Sequence, residues 1–311
     1  MPENLSNVSK FYPEDSIRSA LSYKPRPDDV FVVTDLPLCG GTWVQLIVYH
    51  ILHEKAPPAP LLERARHLPH LEMQGAEALD AMPRPGSIRT HLPYRLVPRA
   101  ECAKYIYVAS NPYDCCAFFY QQMLNAQGKD ASKETFEGFY DDFVEGRAMC
   151  GDYLDSLTSW YARRFDDNVL FLTYQELAEE NKTTVLRIAD FLDVDGEYGR
   201  KLRRSRRLLE KICAETRNEG VWECVESDTK RRMQEAAAIS DEGKPEWVKR
   251  LQKAGNSEAY GKLFAKKAKG YQQGVIGDSM LTPEMAKRMQ ERIKAVAGAG
   301  CDVMNLWKSD D

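Results

Sequence analysis

Short runs of β-branched and aromatic residues recur along the chain and predict buried strands. The first, VFVVT at 30–34, follows a turn-like stretch of proline and aspartate. Three further runs are IRTHL at 88–92, KYIYVAS at 104–110 and NVLFLTY at 168–174. Continuous apolar runs of this length are typical of strands that are covered on both faces.

Helical patterns separate most of these strands. Apolar and aromatic positions recur at spacings of three and four between Pro112 and Arg164, and Ala178 to Leu192 predicts another amphipathic helix. From about Asp195 to Lys253 the chain is strongly charged, which indicates surface helices and loops. Thr282 followed by Pro283 predicts the start of a last helix. The alternation predicts an α/β fold, a doubly wound and mainly parallel sheet with helices on both faces.

The charge balance argues against partners that bind through bulk electrostatics. Lys and Arg total 43 against 47 Asp and Glu, so no attraction to nucleic acid or to an anionic membrane is expected. The one basic block, at 200–207, is either a solvated helix face or a local anion-binding patch. The first residues lack the apolar core of a signal peptide, and no run of about 20 apolar residues occurs. We therefore expect a soluble, cytoplasmic protein.

The eight cysteines show neither a CxxC pair nor the close spacing of a zinc site. They predict reduced thiols, most of them buried as small hydrophobic residues, and no metal site.

A glycine turn follows the first strand. It reads Leu38-Cys39-Gly40-Gly41-Thr42-Trp43 and leads into an apolar, helix-compatible stretch that ends near His53. A strand, a glycine turn and a helix in this order point backbone N–H groups at an anion.

Seven segments, in this order and at these separations, resemble the cytosolic sulfotransferase family. They are YKPRPDDVFVVT, PLCGGTW, RPGSIRTHLP, KYIYVASNPYD, VLFLTY with a helix ending in ADFL, GVIGD and TPEM, and they span about residues 20 to 290. The resemblance implies a parallel sheet wound around a P-loop-like turn. It also implies transfer of a sulfonate from 3′-phosphoadenosine 5′-phosphosulfate (PAPS) to a hydroxyl or amine of a small, often lipophilic acceptor. No linker or repeat interrupts the chain, so residues 1–311 are predicted to form one domain.

The resemblance identifies a candidate catalytic base. His91, in the segment THLP, matches the histidine that takes the acceptor proton in this family. Arg89 stands where the family usually has a lysine. The catalytic role of His91 is either current or ancestral.

The donor loop differs from the family pattern Tyr-Pro-Lys-Ser/Cys-Gly-Thr-Thr-Trp. Leu38 stands in place of the lysine and Gly41 in place of the first threonine. That lysine contacts the sulfonate and the departing oxygen, where charge develops in the transition state, so a leucine cannot perform its role. The family positions that remain are Gly40, Thr42 and Trp43, and the family's tryptophan stacks on adenine.

The positions that bind the 3′-phosphate in the family are also changed. Ser110 stands in place of an arginine and Phe118 in place of a serine. Gln272-Gln273-Gly274 stands in place of Arg-Lys-Gly in a loop that closes over the same phosphate. Tyr174 matches a family residue of the adenine site.

The hydrogen bonds that these substitutions remove predict weak binding of PAPS. A hydrogen bond to a charged group contributes roughly 1.5–3 kcal/mol, and four or five of them about 6–15 kcal/mol if they were additive. Micromolar affinity is only about 8 kcal/mol in total. We therefore expect no cofactor, with PAPS as the cofactor only if other cations rebuild the cradle. The candidates for that compensation are Arg89, Arg95, Lys266, Lys267 and Lys269.

Three functions remain open from the sequence. The first is a non-catalytic binder of a lipophilic small molecule such as a steroid, retinoid, carotenoid or phenol. The second is an active sulfotransferase with an unusual donor cradle and His91 as its base. The third is an inactive protein with a structural or protein-interaction role. A homodimer is possible, although Met280 to Glu284 does not match the family's dimer segment.

Overall fold

Four parallel strands form the central sheet within the part of the chain that the structure describes. The structure is a computed structural model that describes residues 12–36, 39–58, 60–127, 135–148, 151–193, 196–217, 238, 240, 242–253, 280–298 and 300–307. The strands are β1 (Asp29–Val33), β2 (Gly86–Thr90), β3 (Lys104–Ala109) and β4 (Val169–Thr173), in the spatial order β2-β1-β3-β4. Val33 pairs with Thr90 of β2 and with Tyr107 of β3, so these strands end at the same edge of the sheet.

The two faces of the sheet pack against different helices. Phe31 and Tyr107 belong to the core on one face, whereas Val32 and Val108 belong to the core on the other. Alternate strand residues point to opposite faces. Because both faces are covered, apolar residues occupy both sets of positions, which explains the continuous apolar runs in the sequence.

The face of Phe31 and Tyr107 is covered by helices from both halves of the chain. These are α1 (Glu14–Ser22), α4 (Leu71–Gln74), α5 (Ala76–Asp80), α6 (Pro112–Gln127), α7 (Phe136–Val144), α8 (Tyr153–Ala162) and α14 (Pro283–Ala297). Two further helices are α3 (Leu61–His67) and α13 (Glu246–Lys253), and a short 3₁₀ helix covers Val303–Trp307. Helix α13 packs against α1 and α4.

The face of Val32 and Val108 is covered by a second group of helices. These are α2 (Gly41–His53), α9 (Tyr174–Glu179), α10 (Asn181–Leu192), α11 (Glu197–Arg204) and α12 (Arg206–Glu215). None of the helices in the described residues is long and apolar enough to cross a membrane.

The predicted doubly wound, parallel sheet is confirmed, with small shifts at the ends of elements. Strand β2 ends at Thr90, whose hydroxyl accepts a hydrogen bond from Leu92 N at 3.1 Å, so His91 lies just beyond the strand. The helix predicted from Ala178 begins instead at Asn181, because the separate short helix α9 precedes it. The predicted cap at Thr282 is confirmed, since its hydroxyl accepts from Met285 N at 3.3 Å.

The strand order creates a crevice at the carboxyl ends of β1 and β3. The chain leaves β1 toward α2 on one face and leaves β3 toward α6 on the other. Such a reversal is where ligands bind in open α/β sheets. We call the region where residues 34–36, 39 and 40 lie beside residues 110–112 the switch-point crevice.

Candidate functional site

The loop after β1 lies tightly against the ends of the neighbouring strands. Gly40 adopts a φ of 93°, a left-handed conformation that favours glycine, and a Cβ there would lie 3.2 Å from Val108 Cγ1. A Cβ on Gly41 would lie 2.8 Å from Thr34 Oγ1. Helix α2 therefore begins directly at the end of the sheet, with its first N–H groups toward the crevice.

His91 is buried and held by the backbone of β1. Its Nδ1 lies 2.7 Å from the carbonyl oxygen of Thr34 and 3.0 Å from the Thr34 hydroxyl. A carbonyl only accepts, so Nδ1 carries the proton and the lone pair of the neutral ring is on Nε2. Burial, and then the nearby Arg89 guanidinium, lower the pKa of His91 to about 3. The imidazole is therefore neutral at physiological pH and able to accept a proton or a hydrogen bond.

Arg89 lies on β2 and reaches the first turn of α2. Its guanidinium donates to the hydroxyl of Thr42 and, from Nη2 at 3.2 Å, to Nδ1 of His70. Burial lowers the pKa of His70 well below its ordinary value, and Arg89 and His91 lower it further. The structure thus brings His91, Arg89 and Thr42 together. The Arg89 guanidinium is held by two neutral partners of this chain, Thr42 and His70.

Glu72 belongs to the same buried cluster, and the sequence offered no signal for it. Its carboxylate accepts a hydrogen bond from the backbone N–H of His91. Burial raises the pKa of Glu72 to about 7. Its other oxygen lies 3.6 Å from Nε2 of His70, and neither atom has a hydrogen-bond partner among the described residues. This contact exists because the four-residue helix α4 packs against β2.

The predicted adenine-site residues come together but pack mainly on one another. Trp43 is 3% exposed, and its ring meets the edge of Tyr174 at 5.8 Å between centroids. Both rings belong to the core beside α2, and Gly40 lies against Tyr174. Trp43 Nε1 has no hydrogen-bond partner in the described part of the chain. In this arrangement the indole face is covered by protein.

The predicted 3′-phosphate positions are buried and uncharged. Ser110, just after β3, and Phe118, in α6, are each 2% exposed. The hydroxyl of Tyr153 accepts from Ser110 N at 3.2 Å and donates to Ser110 O at 2.5 Å, which fixes the backbone there. Within the described residues, the Ser110 hydroxyl has no hydrogen-bond partner.

A buried carboxyl group also lies at the carboxyl end of β1. Asp35 is 3% exposed and accepts hydrogen bonds from the hydroxyls of Tyr107 and Ser156. Burial raises the pKa of Asp35 to about 7, although both hydrogen bonds act in the opposite direction. An acidic residue between apolar segments gave no indication in the sequence that it would be buried at this crevice.

Several predicted residues cannot be placed at the site, and one described residue lies away from it. Leu38, Gln272, Gln273 and Gly274 lie outside the described residues, as do Lys266, Lys267 and Lys269. Arg95 does not compensate for the lost cations, because it is 68% exposed and forms an ion pair with Asp155 at 2.8 Å. A separate cavity of about 450 Å³ lies between α3, α5 and α13, lined in part by Arg66, Trp247 and Arg250, and it includes none of the predicted site residues.

A model of the sulfotransferase domain matches residues 27–299 of the chain. The chain belongs to the sulfotransferase family. The match confirms the resemblance carried by the donor loop and the THLP segment.

Curated relatives support the same family. Sulfotransferase 1C2 of Oryctolagus cuniculus is 31% identical over 209 residues, which cover 63% of this chain and 66% of that protein. Amine sulfotransferase of the same organism is 31% identical over 181 residues, covering 56% of this chain and 58% of that protein. The matches span about three fifths of the length of these sulfotransferases.

Solved structures of low sequence identity share the fold. A mouse sulfotransferase complexed with PAP, the desulfonated donor, gives a TM-score of 0.61 at 21% identity and covers 95% of this chain and 94% of that chain. Retinol dehydratase in complex with androsterone and inactive cofactor PAP gives 0.62 at 18% identity, with coverage of 97% and 96%. Because both structures contain PAP, the expectation that this sulfotransferase-family chain takes no cofactor finds no support in the comparisons.

The described residues do not fit the 3′-phosphate of such a donor. That group needs cationic donors, and the two predicted positions hold Ser110, whose buried hydroxyl is neutral, and the buried Phe118 ring. The start of α2 and Arg89 fit an anion better, although Arg89 already contacts Thr42 and His70.

Proposed function

We propose that this sulfotransferase-family protein is a non-catalytic binder of a small lipophilic molecule that has lost tight binding of PAPS. The observation that carries the proposal is the charge of the switch-point crevice. Ser110 and Phe118 are neutral and buried, and the crevice contains the Asp35 carboxyl, whose ionised form repels phosphate.

The expected loss of donor affinity is large. Three substituted positions, Leu38, Ser110 and Phe118, correspond to roughly 5–9 kcal/mol if each lost charged hydrogen bond counted fully, which is an upper bound. Half of that loss moves a micromolar donor to between about 50 μM and about 2 mM, and the full loss moves it to the millimolar range or weaker.

The protonation state of His91 favours a ligand that carries a hydroxyl group. Its neutral ring presents a lone pair on Nε2, because Nδ1 is bound to Thr34. Three residues further along the chain, Tyr94 meets Trp160 edge-on at 5.1 Å between ring centroids, in the core that also contains Leu92. A mostly apolar site with one fixed acceptor fits a steroid, a retinoid, a hydroxylated carotenoid or a phenol.

The test is calorimetric titration of the purified chain with PAP, PAPS, retinol, androsterone and a simple phenol. We expect no saturable binding of PAP or PAPS up to about millimolar concentration, and micromolar binding of at least one lipophilic compound. His91→Ala should weaken that compound about 2–10-fold, the loss of one hydrogen bond. His67→Ala, a histidine of α3 outside the cluster, is the matched control and should bind like the native chain.

Sulfonate transfer is the second candidate, and one observation favours it. Arg89 already places a cation at the first turn of α2, and His91 is neutral as a general base must be. Micromolar PAPS binding, together with turnover that is lost in His91→Ala, would replace the first proposal with this one. Absence of binding to every probe, without turnover, would favour a structural or interaction role.

A further inference from the structure

Two thiols face each other across the switch-point crevice. Cys39 precedes Gly40 in the loop after β1, and Cys115 lies in the first turns of α6, after β3. Their sulfur atoms are 3.8 Å apart, although 76 positions separate the residues in the chain. Both are free thiols in this structure, in agreement with the reduced cysteines that the sequence predicts.

The pair differs from the other described cysteines by this contact. Cys102 is exposed, and Cys213 and Cys301 are partly exposed, so the expectation that most cysteines are buried holds for only three of these six: Cys39, Cys115 and Cys116. Cys150 and Cys224 lie outside the described residues. Cys116 is the neighbour of Cys115, but successive helix residues point about 100° apart, so its thiol faces another direction.

We propose that Cys39 and Cys115 are a redox modification site, at which a peroxide converts the two thiols into a disulfide that joins the loop after β1 to helix α6. The proposal stands independently of the ligand inferred above. It concerns a covalent bond across the crevice, whatever molecule the crevice holds.

The exposure of the two thiols indicates which of them the peroxide oxidises first. Cys39 is 7% exposed and Cys115 only 1%, so a small oxidant meets Cys39 first. Burial, and then the neighbouring Cys39, raise the pKa of the Cys115 thiol well above its ordinary value, which makes it a slow first nucleophile.

The atoms balance with hydrogen peroxide as the oxidant. Cys39 sulfur attacks one peroxide oxygen, the O–O bond breaks, and the products are a sulfenic acid on Cys39 and one water molecule. Cys115 sulfur then attacks Cys39 sulfur, the S–O bond breaks, and the second water leaves with the Cys115 proton. The two thiols are oxidised by two electrons in all, and the peroxide is reduced to two water molecules.

The side chains need only a small movement to form the bond. A disulfide brings its sulfur atoms to about 2 Å, so the two sulfur atoms, 3.8 Å apart, must approach by less than 2 Å. The bond would fix the spacing between Gly40 at the start of α2 and the segment from Ser110 to Phe118. The crevice could then no longer widen.

The experiment uses the full chain and hydrogen peroxide. Reduced protein is treated with peroxide, the remaining thiols are alkylated with N-ethylmaleimide, and the protein is digested without reductant for mass spectrometry. We expect a Cys39–Cys115 linked peptide that is two hydrogen atoms lighter than the reduced pair and that disappears with dithiothreitol. The oxidised chain should also melt at a higher temperature than the reduced chain, because the bond restricts the unfolded state.

Three variants make the result specific. Cys116→Ser, the matched control next in the helix, should keep the linked peptide and the rise in melting temperature. Cys115→Ser should lose both the linked peptide and the rise in melting temperature. Cys39→Ser should give the same loss, and it is the test to use if Cys115→Ser folds poorly. The proposal is overturned if peroxide gives no link in the native chain, if Cys39 proceeds to a sulfinic acid, or if Cys39 links to Cys116 instead.

Discussion

At the scale of single residues, two buried carboxyl groups contribute to the pH dependence of stability. Asp35 and Glu72 are both buried, and burial raises the pKa of each to about 7. In the unfolded chain these groups release their protons near pH 4. Between about pH 4 and 7 each of these carboxyl groups binds more protons in the folded state than in the unfolded state, so each makes the free energy of unfolding fall as the pH rises. His70 and His91, whose pKa values burial lowers, act in the opposite direction up to about pH 6.5.

Asp35→Asn should make the slope of the unfolding free energy against pH more positive between about pH 4 and 7. The amide cannot ionise, so the variant lacks the contribution of Asp35, which is up to about 4 kcal/mol between pH 4 and 7 in the native chain. Urea denaturation at a series of pH values measures the slope. Asp80→Asn, at a surface carboxyl that is 68% exposed, is the control and should keep the native slope. A native slope in Asp35→Asn would show that this group does not carry the effect.

The residues of the site were predictable to different degrees. The THLP segment identified His91 and Arg89, because the signal is local in the sequence. Glu72 and His70 were missed, since they reach His91 and Arg89 only when α4 packs beside β2. Asp35 was missed for a similar reason, because its partners Tyr107 and Ser156 come from β3 and α8.

At the scale of elements, the basic block at 200–207 is a charged, largely solvated helix surface. It spans α11 and α12, and its side chains form ion pairs with residues of this chain. These pairs join Lys201 to Glu54, Arg203 to Asp190 and Arg206 to Glu210. Of the two interpretations left open by the sequence, the structure favours the solvated helix face. Exposed pairs of this kind contribute about 1 kcal/mol or less each.

We expect substitutions at the start of α2 to destabilise the protein more than substitutions on the exposed surfaces of α11 and α12. Gly40→Ala should destabilise the protein by about 1–2 kcal/mol from the left-handed conformation alone, and by more because the new Cβ meets Val108 and Leu177 at 3.2 and 3.3 Å. Gly196→Ala is the matched control, since Gly196 also caps a helix in a left-handed conformation. Its new Cβ would have only ordinary contacts, the nearest at 3.7 Å. Equal losses in urea denaturation would mean that crowding at Gly40 is unimportant.

At the scale of the whole molecule, the sequence was sufficient to predict the fold, whereas the donor site depends on three distant segments. The alternation of apolar strands and helical patterns determines the parallel sheet, because each strand run is covered on both faces. Whether an anion binds at the switch-point crevice depends on side chains that meet only after folding.

The segment from Met280 to Glu284 makes contacts within its own chain. Thr282 caps α14 and Leu281 packs on the core of its own chain. The possible homodimer, for which this segment does not match the family's dimer segment, stays an untested prediction.

Restoring the family residues should therefore recover donor binding only in combination. Leu38→Lys alone supplies a cation for the departing oxygen, which PAP keeps on its 5′-phosphate, without a 3′-phosphate site. Ser110→Arg alone supplies a cation without the hydroxyl that the family has at position 118. The triple variant Leu38→Lys/Ser110→Arg/Phe118→Ser regains about three charged hydrogen bonds at once, roughly 5–9 kcal/mol at the upper limit. Calorimetry should then detect PAP binding in the micromolar range for the triple variant, with little or none for either single variant.

A charge placed elsewhere separates this effect from general electrostatics. Phe165→Lys adds a cation to a side chain that is 81% exposed, in the loop that precedes β4 at the amino ends of the strands. That edge is opposite the switch-point crevice, so this variant should bind PAP no better than the native chain. Circular dichroism of the triple variant must first show native helix content, because two of its changes lie at buried positions. A folded triple variant that still fails to bind PAP would mean that the crevice excludes the donor through its shape, or through the Asp35 carboxyl, and that lost cations are a secondary cause.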